Sequence, residues 1–438
     1  MNENVLILGA GFSRAISDHM PMTGELGDEA IDRLRSRGVP DLPSRTFSGP
    51  QLEAWLSRLA EPQPDLSAAR NLANQSLFLL VSEALRDVIV ERQTTVHAGN
   101  VPWWLRRMLG SMHYSRSNVV TFNYDTLVET AISALGLWDD EAKRVYPSEL
   151  ICDMPPTRRR PSGGMSFGIE RADTFRYMKL HGSVDTFWIP GDTTGASIGR
   201  WELPGAWGAP RIAAEEERRQ VLPGTEAYIV PPAAAKSAFY ANPLARELWR
   251  TSAEAIGNAK HVAVVGYSIP MTDLVTSGML ADALEGTTCE VTVVNCQPGP
   301  VVSRLVELGV QSSRIHQVGG ADSVQCFAEE LDQVFLPGLH HPGGEDLLLT
   351  IGWGRNPSVA VKRLVEVDSD GTATVAVGHE SWHAASVRVR DLRGPAGPAT
   401  KVKVVYDNGE TAMVARALPE NGGPDGPKHL VLAPTARP

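Results

Sequence analysis

Residues 5–8, Val-Leu-Ile-Leu, form an uninterrupted apolar run of the kind a strand buried on both faces shows, and Gly9-Ala10-Gly11 ends it abruptly. From 24 to 117 the spacing turns helical: apolar and polar residues mix at one-turn intervals over 25–37, 51–60, 66–92 and 102–114, punctuated by Pro40, Pro43 and Pro50. Strand-like runs then recur singly at 118–122, 174–180, 261–265 and 290–294, with helical stretches at 243–258, 272–284 and 300–308 among them. This alternation predicts an α/β fold, a Rossmann-like parallel sheet covered by helices on both faces, with a helical insertion at about 24–117.

Segments 151–171 and 190–210 are rich in Pro, Gly and polar residues and read as loops. Arg158 to Arg160 within the first is either a basic contact patch or a solvated loop. A first domain at 1–336 is followed by a linker at 337–346, within LPGLHHPGGED. Beyond it the period becomes two, at 372–377, 386–390, 401–406 and 411–415, with the turn signals Asp370-Gly371 and Asn408-Gly409. Residues 347–438 therefore read as a small all-β module, barrel or sandwich, serving assembly, partner binding or trigger sensing, or a passive appendage. The sequence has no internal repeat.

A chain of 438 residues is long for one ordinary core, which agrees with two units. The net charge of −10 argues against a general nucleic-acid binder, and no apolar stretch nears the ~18 residues of a membrane span. Residues 345–438 carry 11 basic and 11 acidic side chains, so the acidic surplus belongs to the N-terminal part. Met1-Asn2-Glu3-Asn4 lacks the basic start and apolar core of a signal peptide, and the expectation is a soluble cytoplasmic protein. Cys152, Cys289, Cys296 and Cys326 have no zinc-ribbon or disulfide-framework spacing and read as reduced core residues.

The chemistry concentrates where strands end. A strand, a tight glycine turn and a helix can place main-chain N–H groups against a diphosphate, but Arg14 stands where the dinucleotide fingerprint has its third glycine. The alternative is a purely structural turn. In TFNYD, Asn123 and Asp125 end a buried run; Asp125 is equally a cap for the following helix. In KLHGS, His181 is either a satisfied structural histidine or a base poised near neutral pH. Gly266 permits close approach of a ligand, while Ser268 and Asn295 offer hydrogen bonds suited to a ribose or adenine.

The order GAGFS, TFNYD, KLHGS, VVGYS, VNCQP resembles the sirtuin (SIR2) superfamily, in particular the bacterial SIR2-like proteins of antiphage defence, over residues 4 to 335. The resemblance implies a SIR2 fold in which Gly9, Ala10, Gly11, Phe12 and Ser13 cradle the phosphates of NAD+. It also implies that Asn123 and Asp125 face the nicotinamide ribose, that His181 is the catalytic base, and that Gly266, Ser268 and Asn295 hold the adenosine half. The four-cysteine zinc module of deacylating sirtuins is absent, as is their Asp-Phe-Arg after the glycine turn. TEAYIVPPAAAK (225–236) and VVGYSIPMTD (264–273) resemble the defence branch.

The expectation is an NAD+ glycohydrolase that releases nicotinamide and ADP-ribose with NAD+ as substrate and no metal. It would be a defence effector acting by NAD depletion, working as a homo-oligomer and held off until a partner protein or phage-derived trigger releases it. The alternatives are a sirtuin-type protein deacylase and a non-catalytic nucleotide sensor. His379-Glu380-Ser381-Trp382-His383 matches the zinc-protease pattern H-E-x-x-H, but Gly378 and the flanking period-two runs point to a loop or strand instead of the required helix.

Overall fold

The computed structural model describes residues 3–335, apart from 45, 98–100, 136–156, 159–173, 202–204, 207–208, 211–222 and 233–236, together with short extended segments between 347 and 432. Its centre is a sheet of six strands: β1 (Asn4–Leu8), β2 (Asn118–Thr121), β3 (Arg176–Lys179), β4 (His261–Val265), β5 (Glu290–Val294) and β6 (Ile315–Val318). They lie in the order β3-β2-β1-β4-β5-β6 and every pairing is parallel. This is the doubly wound, Rossmann-like order, whose direction of winding reverses between β1 and β4.

Alternation along the strands divides the interior. Leu6 and Leu8 of β1 join one core with Val119, Tyr177, Ala263 and Val265; Val5 and Ile7 join the other with Val120, Met178, Val262 and Val264. The first core takes in the helical insertion, α2 (Thr23–Ser36), α3 (Gly49–Ala60), α4 (Ala68–His97) and α5 (Trp103–Tyr114), through residues such as Leu34, Leu52, Leu85 and Leu105. It also contains Phe12 of α1 (Ala10–Ile16), Ile132 of α6 (Leu127–Leu135) and Phe327 of α10 (Ser323–Phe335). The second is closed by Ile256 of α7 (Pro243–Gly257), Leu280 of α8 (Leu274–Leu284) and Leu305 of α9 (Pro298–Glu307). Burial of the sheet on both faces explains the continuous apolar runs.

Local signals set the helix starts. Ser48 and Gln51 form a capping box at α3, Asn242 accepts the Leu244 amide ahead of Pro243 at α7, and Asp273 accepts the Thr276 amide at α8.

Register decides what the edge presents. Leu8 lies opposite both Thr121 and Val265, Thr121 opposite Lys179, and Val265 opposite Val294. The residues that follow leave the sheet in one row at its carboxyl edge. At the reversal, the turn after β1 crosses the turn after β4: the Gly9 amide donates to Val265 O at 3.0 Å and the Gly11 amide to Gly266 O at 2.8 Å. Gly266 has φ +61°, and a Cβ there would lie 2.2 Å from the Phe12 nitrogen.

Several elements escape the hydrophobic pattern, among them the short strands Thr157–Arg158, Gly199–Trp201, Gly205–Ala206 and Ala209–Pro210 inside the two stretches read as loops, where backbone pairing and not apolar alternation makes the strand. β6 (IHQV) is an edge strand with partly exposed residues, α10 falls beyond the last helical run recognised, and an antiparallel pair, Gly182–Trp188 with Glu226–Ile229, builds a second small sheet. The reading of the cysteines as core residues holds for Cys289 only; Cys296, in the turn after β5, and Cys326, on α10, are exposed. Cys152, most of the 151–171 loop with Arg159 and Arg160, the 337–346 linker and the 379–383 pentapeptide lie outside the described residues. Among the described residues no helix is long and apolar enough to cross a membrane.

Gly266→Ala is expected to destabilise the fold by about 3 kcal/mol, from left-handed strain plus the clash with the Phe12 amide. Gly278→Ala on α8, where an added Cβ meets nothing within 4 Å, is expected to be neutral or stabilising by up to about 1 kcal/mol. Urea unfolding midpoints of the two variants check the pair.

Candidate functional site

Beyond Thr121 the chain turns inward, and Asn123 and Asp125 are 8% and 6% exposed. Asn123 Nδ2 donates to Gly9 O at 2.9 Å and to Ser13 Oγ at 3.0 Å; the Ser13 hydroxyl in turn donates to Asp125 Oδ2 at 2.7 Å. Gly9 O can only accept, which fixes the amide orientation. With both of its amide protons engaged, Asn123 presents Oδ1, an acceptor, as its remaining functional group. The second oxygen of Asp125 accepts the Leu127 amide at 3.1 Å. The expected cap at α6 therefore accounts for one carboxylate oxygen and the bond to Ser13 for the other.

The glycines of the first turn meet the structural demand that the sequence offers beside phosphate binding. Their amides donate to Val265 O and Gly266 O, and the Phe12 amide donates to Gly9 O at 2.9 Å. Close approach of the two crossing loops requires Gly9 and Gly11 whatever else the turn contacts: a Cβ on either would come within 3 Å of Tyr267 or Gly266.

His181 follows β3, on the strand next to Asn123, and is 6% exposed. Gly182, with φ +78°, turns the chain immediately after it into the small antiparallel sheet, and the Val230 amide donates to His181 O at 2.9 Å. Rings enclose the imidazole: Phe122 at 4.9 Å and Trp249 at 6.1 Å between centroids, with Tyr267 stacked on Phe122 at 4.5 Å. Nε2 lies 3.5 Å from the Tyr240 hydroxyl and 3.8 Å from Asp273 Oδ2.

Asp273 is the residue that the sequence reading passed over; the tail of VVGYSIPMTD was noted only for its resemblance. It is 5% exposed, and Oδ2 accepts the hydroxyls of Tyr267 at 3.1 Å and Thr276 at 2.8 Å. Burial pushes the phenols of Tyr124, Tyr240 and Tyr267 far above their ordinary range, and the Asp273 carboxylate is the next cause for all three. They are neutral donors throughout the physiological range.

Beneath this floor Lys179 is a second unexpected participant. Its ammonium donates to the Asp125 carbonyl oxygen and, at 2.9 Å, to Glu129 Oε1, with both side chains 5% exposed. Burial raises the Glu129 pKa while Lys179 works against that rise. The lysine thus ties α6 and the Asn123–Asp125 segment to β3. In sequence it is a lone charge inside an apolar run, a weak signal for a buried pair.

The expected site residues thus fall into two groups. Ser13, Asn123 and Asp125 are directly bonded, with His181 on the neighbouring strand end. Gly266 is packed on the first turn, whereas Ser268 is exposed and Asn295, half-buried after β5, turns its side-chain oxygen to the Gln297 amide at 3.1 Å. Among the described residues no three His, Cys, Asp or Glu side chains are grouped as metal ligands.

Lys179→Met leaves Glu129 buried without its counter-ion, and a loss of about 3 kcal/mol or more is expected at neutral pH. The Glu129 pKa is raised in the fold, so its ionised form opposes folding as pH rises through that value, and removing Lys179 enlarges the penalty. The deficit should shrink between about pH 7.5 and about pH 5, and adding Glu129→Leu should recover most of it; urea unfolding at both pH values checks this. No protein-family model and no curated protein matches this chain.

Proposed function

We propose that the chain is a SIR2-like NAD+ glycohydrolase, with NAD+ as substrate and nicotinamide and ADP-ribose as products. One observation carries the reading: parallel register sets Asn123 and His181 on adjacent strand ends, beside a glycine turn whose carbonyl orients the Asn123 amide. Open α/β sheets bind ligands at this edge, beside the reversal of winding.

The nicotinamide of NAD+ is already a cationic leaving group, so cleavage needs a held ribose and a directed water more than an acid. Asn123 Oδ1 accepts a hydrogen bond from a ribose hydroxyl or from the water. His181, neutral, takes the water's proton as its oxygen bonds to the anomeric carbon and the carbon–nitrogen bond breaks. Asp125, through Ser13, keeps the Asn123 amide turned the right way. In this reading the turn from Gly9 through Ala10, Gly11 and Phe12 to Ser13 lies against the diphosphate, and Gly266, Ser268 and Asn295 meet the adenosine half. The enclosure of His181 by Phe122, Trp249 and Tyr240 favours a small substrate over an acyl-peptide, the substrate of the deacylase alternative.

Free NAD+ hydrolysis harms the host cell, so the proposal includes restraint: a cytoplasmic homo-oligomer, released by a partner protein or a phage-derived trigger, with residues 347–438 as a β-rich assembly or sensing module. Abortive infection by NAD depletion is the matching physiology.

Incubating the full chain with NAD+ and separating the products by chromatography tests the reading. With a lysate of phage-infected cells supplied as the trigger, nicotinamide released without peptide is expected; release only with an acyl-peptide would favour the deacylase, and NAD+ that stays bound and intact under the same conditions the sensor. Asn123→Ala and His181→Ala are each expected to lower the rate by 100-fold or more, as order of magnitude, with folding kept by circular dichroism. Retained turnover in both variants would overturn the site assignment.

A further inference from the structure

We propose that Asp273 is the positioning residue for His181, holding the imidazole edge and stabilising the ring when it takes up a proton. The assignment of a catalytic task to that proton rests on the glycohydrolase reading; the pairing itself rests on geometry.

His181 Nε2 and Asp273 Oδ2 are 3.8 Å apart, and both side chains are more than nine-tenths buried. Attraction at that distance and depth is weakly screened by water and salt. The carboxylate is held in place by two hydroxyl donors, Tyr267 and Thr276, and it caps α8. These donors favour the ionised form and prevent it from swinging away.

Backbone strain delivers the residue to this point. Ile269, buried and β-branched, has φ +48° directly before Pro270, a conformation such a residue adopts only when surrounding structure forces it. The Ser268-Ile269-Pro270 bend folds the chain after β4 back over the strand ends, so Asp273 meets a histidine from β3.

The other groups around the ring do not replace this charge. Tyr240 comes from the turn at Ser237–Tyr240, Tyr267 from the segment after β4 and Tyr124 from the segment after β2; all three are neutral phenols. Glu53 of α3, itself buried, acts on both Tyr124 and Tyr267, in each case after Asp273, and Asp125 is bonded to the Ser13 hydroxyl and the Leu127 amide. Asp273 Oδ2 lies in salt-bridge range of the imidazole.

The test is a histidine NMR titration of the full-length protein, using His181→Gln to assign the resonance, in the wild type, Asp273→Asn and Thr276→Val. Asparagine retains an oxygen to cap α8, so the fold is expected to survive. Asp273→Asn should lower the His181 midpoint by about one unit or more, and Thr276→Val should shift it in the same direction by less. In the nicotinamide assay kcat should fall on the order of 10- to 1000-fold with KM little changed, and the acid limb of the rate profile should move to lower pH with the histidine. A midpoint and profile that do not move would overturn the proposal, even if activity falls. A midpoint that moves in a protein that releases no nicotinamide supports the pairing and counts against the glycohydrolase reading alone.

Discussion

The parallel register of β1 with its two neighbours is the constraint on which the carboxyl edge depends. Because Leu8 stands against Thr121 on one side and Val265 on the other, the turn after β1 leaves the sheet level with two other chain exits. Its carbonyl meets the Asn123 amide on the first side, and its amides meet the Val265 and Gly266 carbonyls on the second. A one-residue slip of β1 would exchange the side chains offered to the two cores and break both sets of contacts. Two hydrophobic cores, one on each face, hold the register against that slip.

Polar groups are costly inside such an edge unless each has a partner, and here nearly every one serves a neighbour. Ser13 accepts a hydrogen bond from Asn123 and donates one to Asp125; the second oxygen of Asp125 accepts the Leu127 amide of α6; Lys179 closes the loop by donating to the Asp125 carbonyl and to Glu129. The result is a rigid floor whose components come from α1, the segment after β2, β3 and α6. Rigidity of this kind suits a site that must hold a small ring in one orientation, because ordering has already occurred on folding.

The His181 side is built differently. Aromatic rings enclose the imidazole, and the Asp273 carboxylate reaches it by a strained detour of the chain that begins at Ile269. An apolar wall sharpens the influence of one carboxylate, since few dipoles compete with it. The two halves of the edge thus divide the work between hydrogen-bonded orientation and electrostatic control of a proton.

Much of this was legible from the residues alone. The α/β alternation, the placement of the helical insertion and the clustering of polar residues at strand ends follow from local periodicity and turn chemistry, because backbone hydrogen bonding and burial act within a few residues. What lay beyond reach depended on distance through space. β6 carries too little apolar signal to announce itself, being an edge strand whose partner supplies the pairing. The pair of glycines suggested a ligand, and tertiary structure gave them a loop to cross. Lys179 looked like a lone charge in an apolar run until α6 brought Glu129 to it, and Asp273 carried no signal of its own until the bend at Ile269 placed it near His181. Sequence determined the elements and their faces, since those obey short-range rules; which polar group met which was decided only when residues 50 to 110 positions apart were brought together by the fold, as with Lys179 and Glu129 and with Ser13 and Asn123.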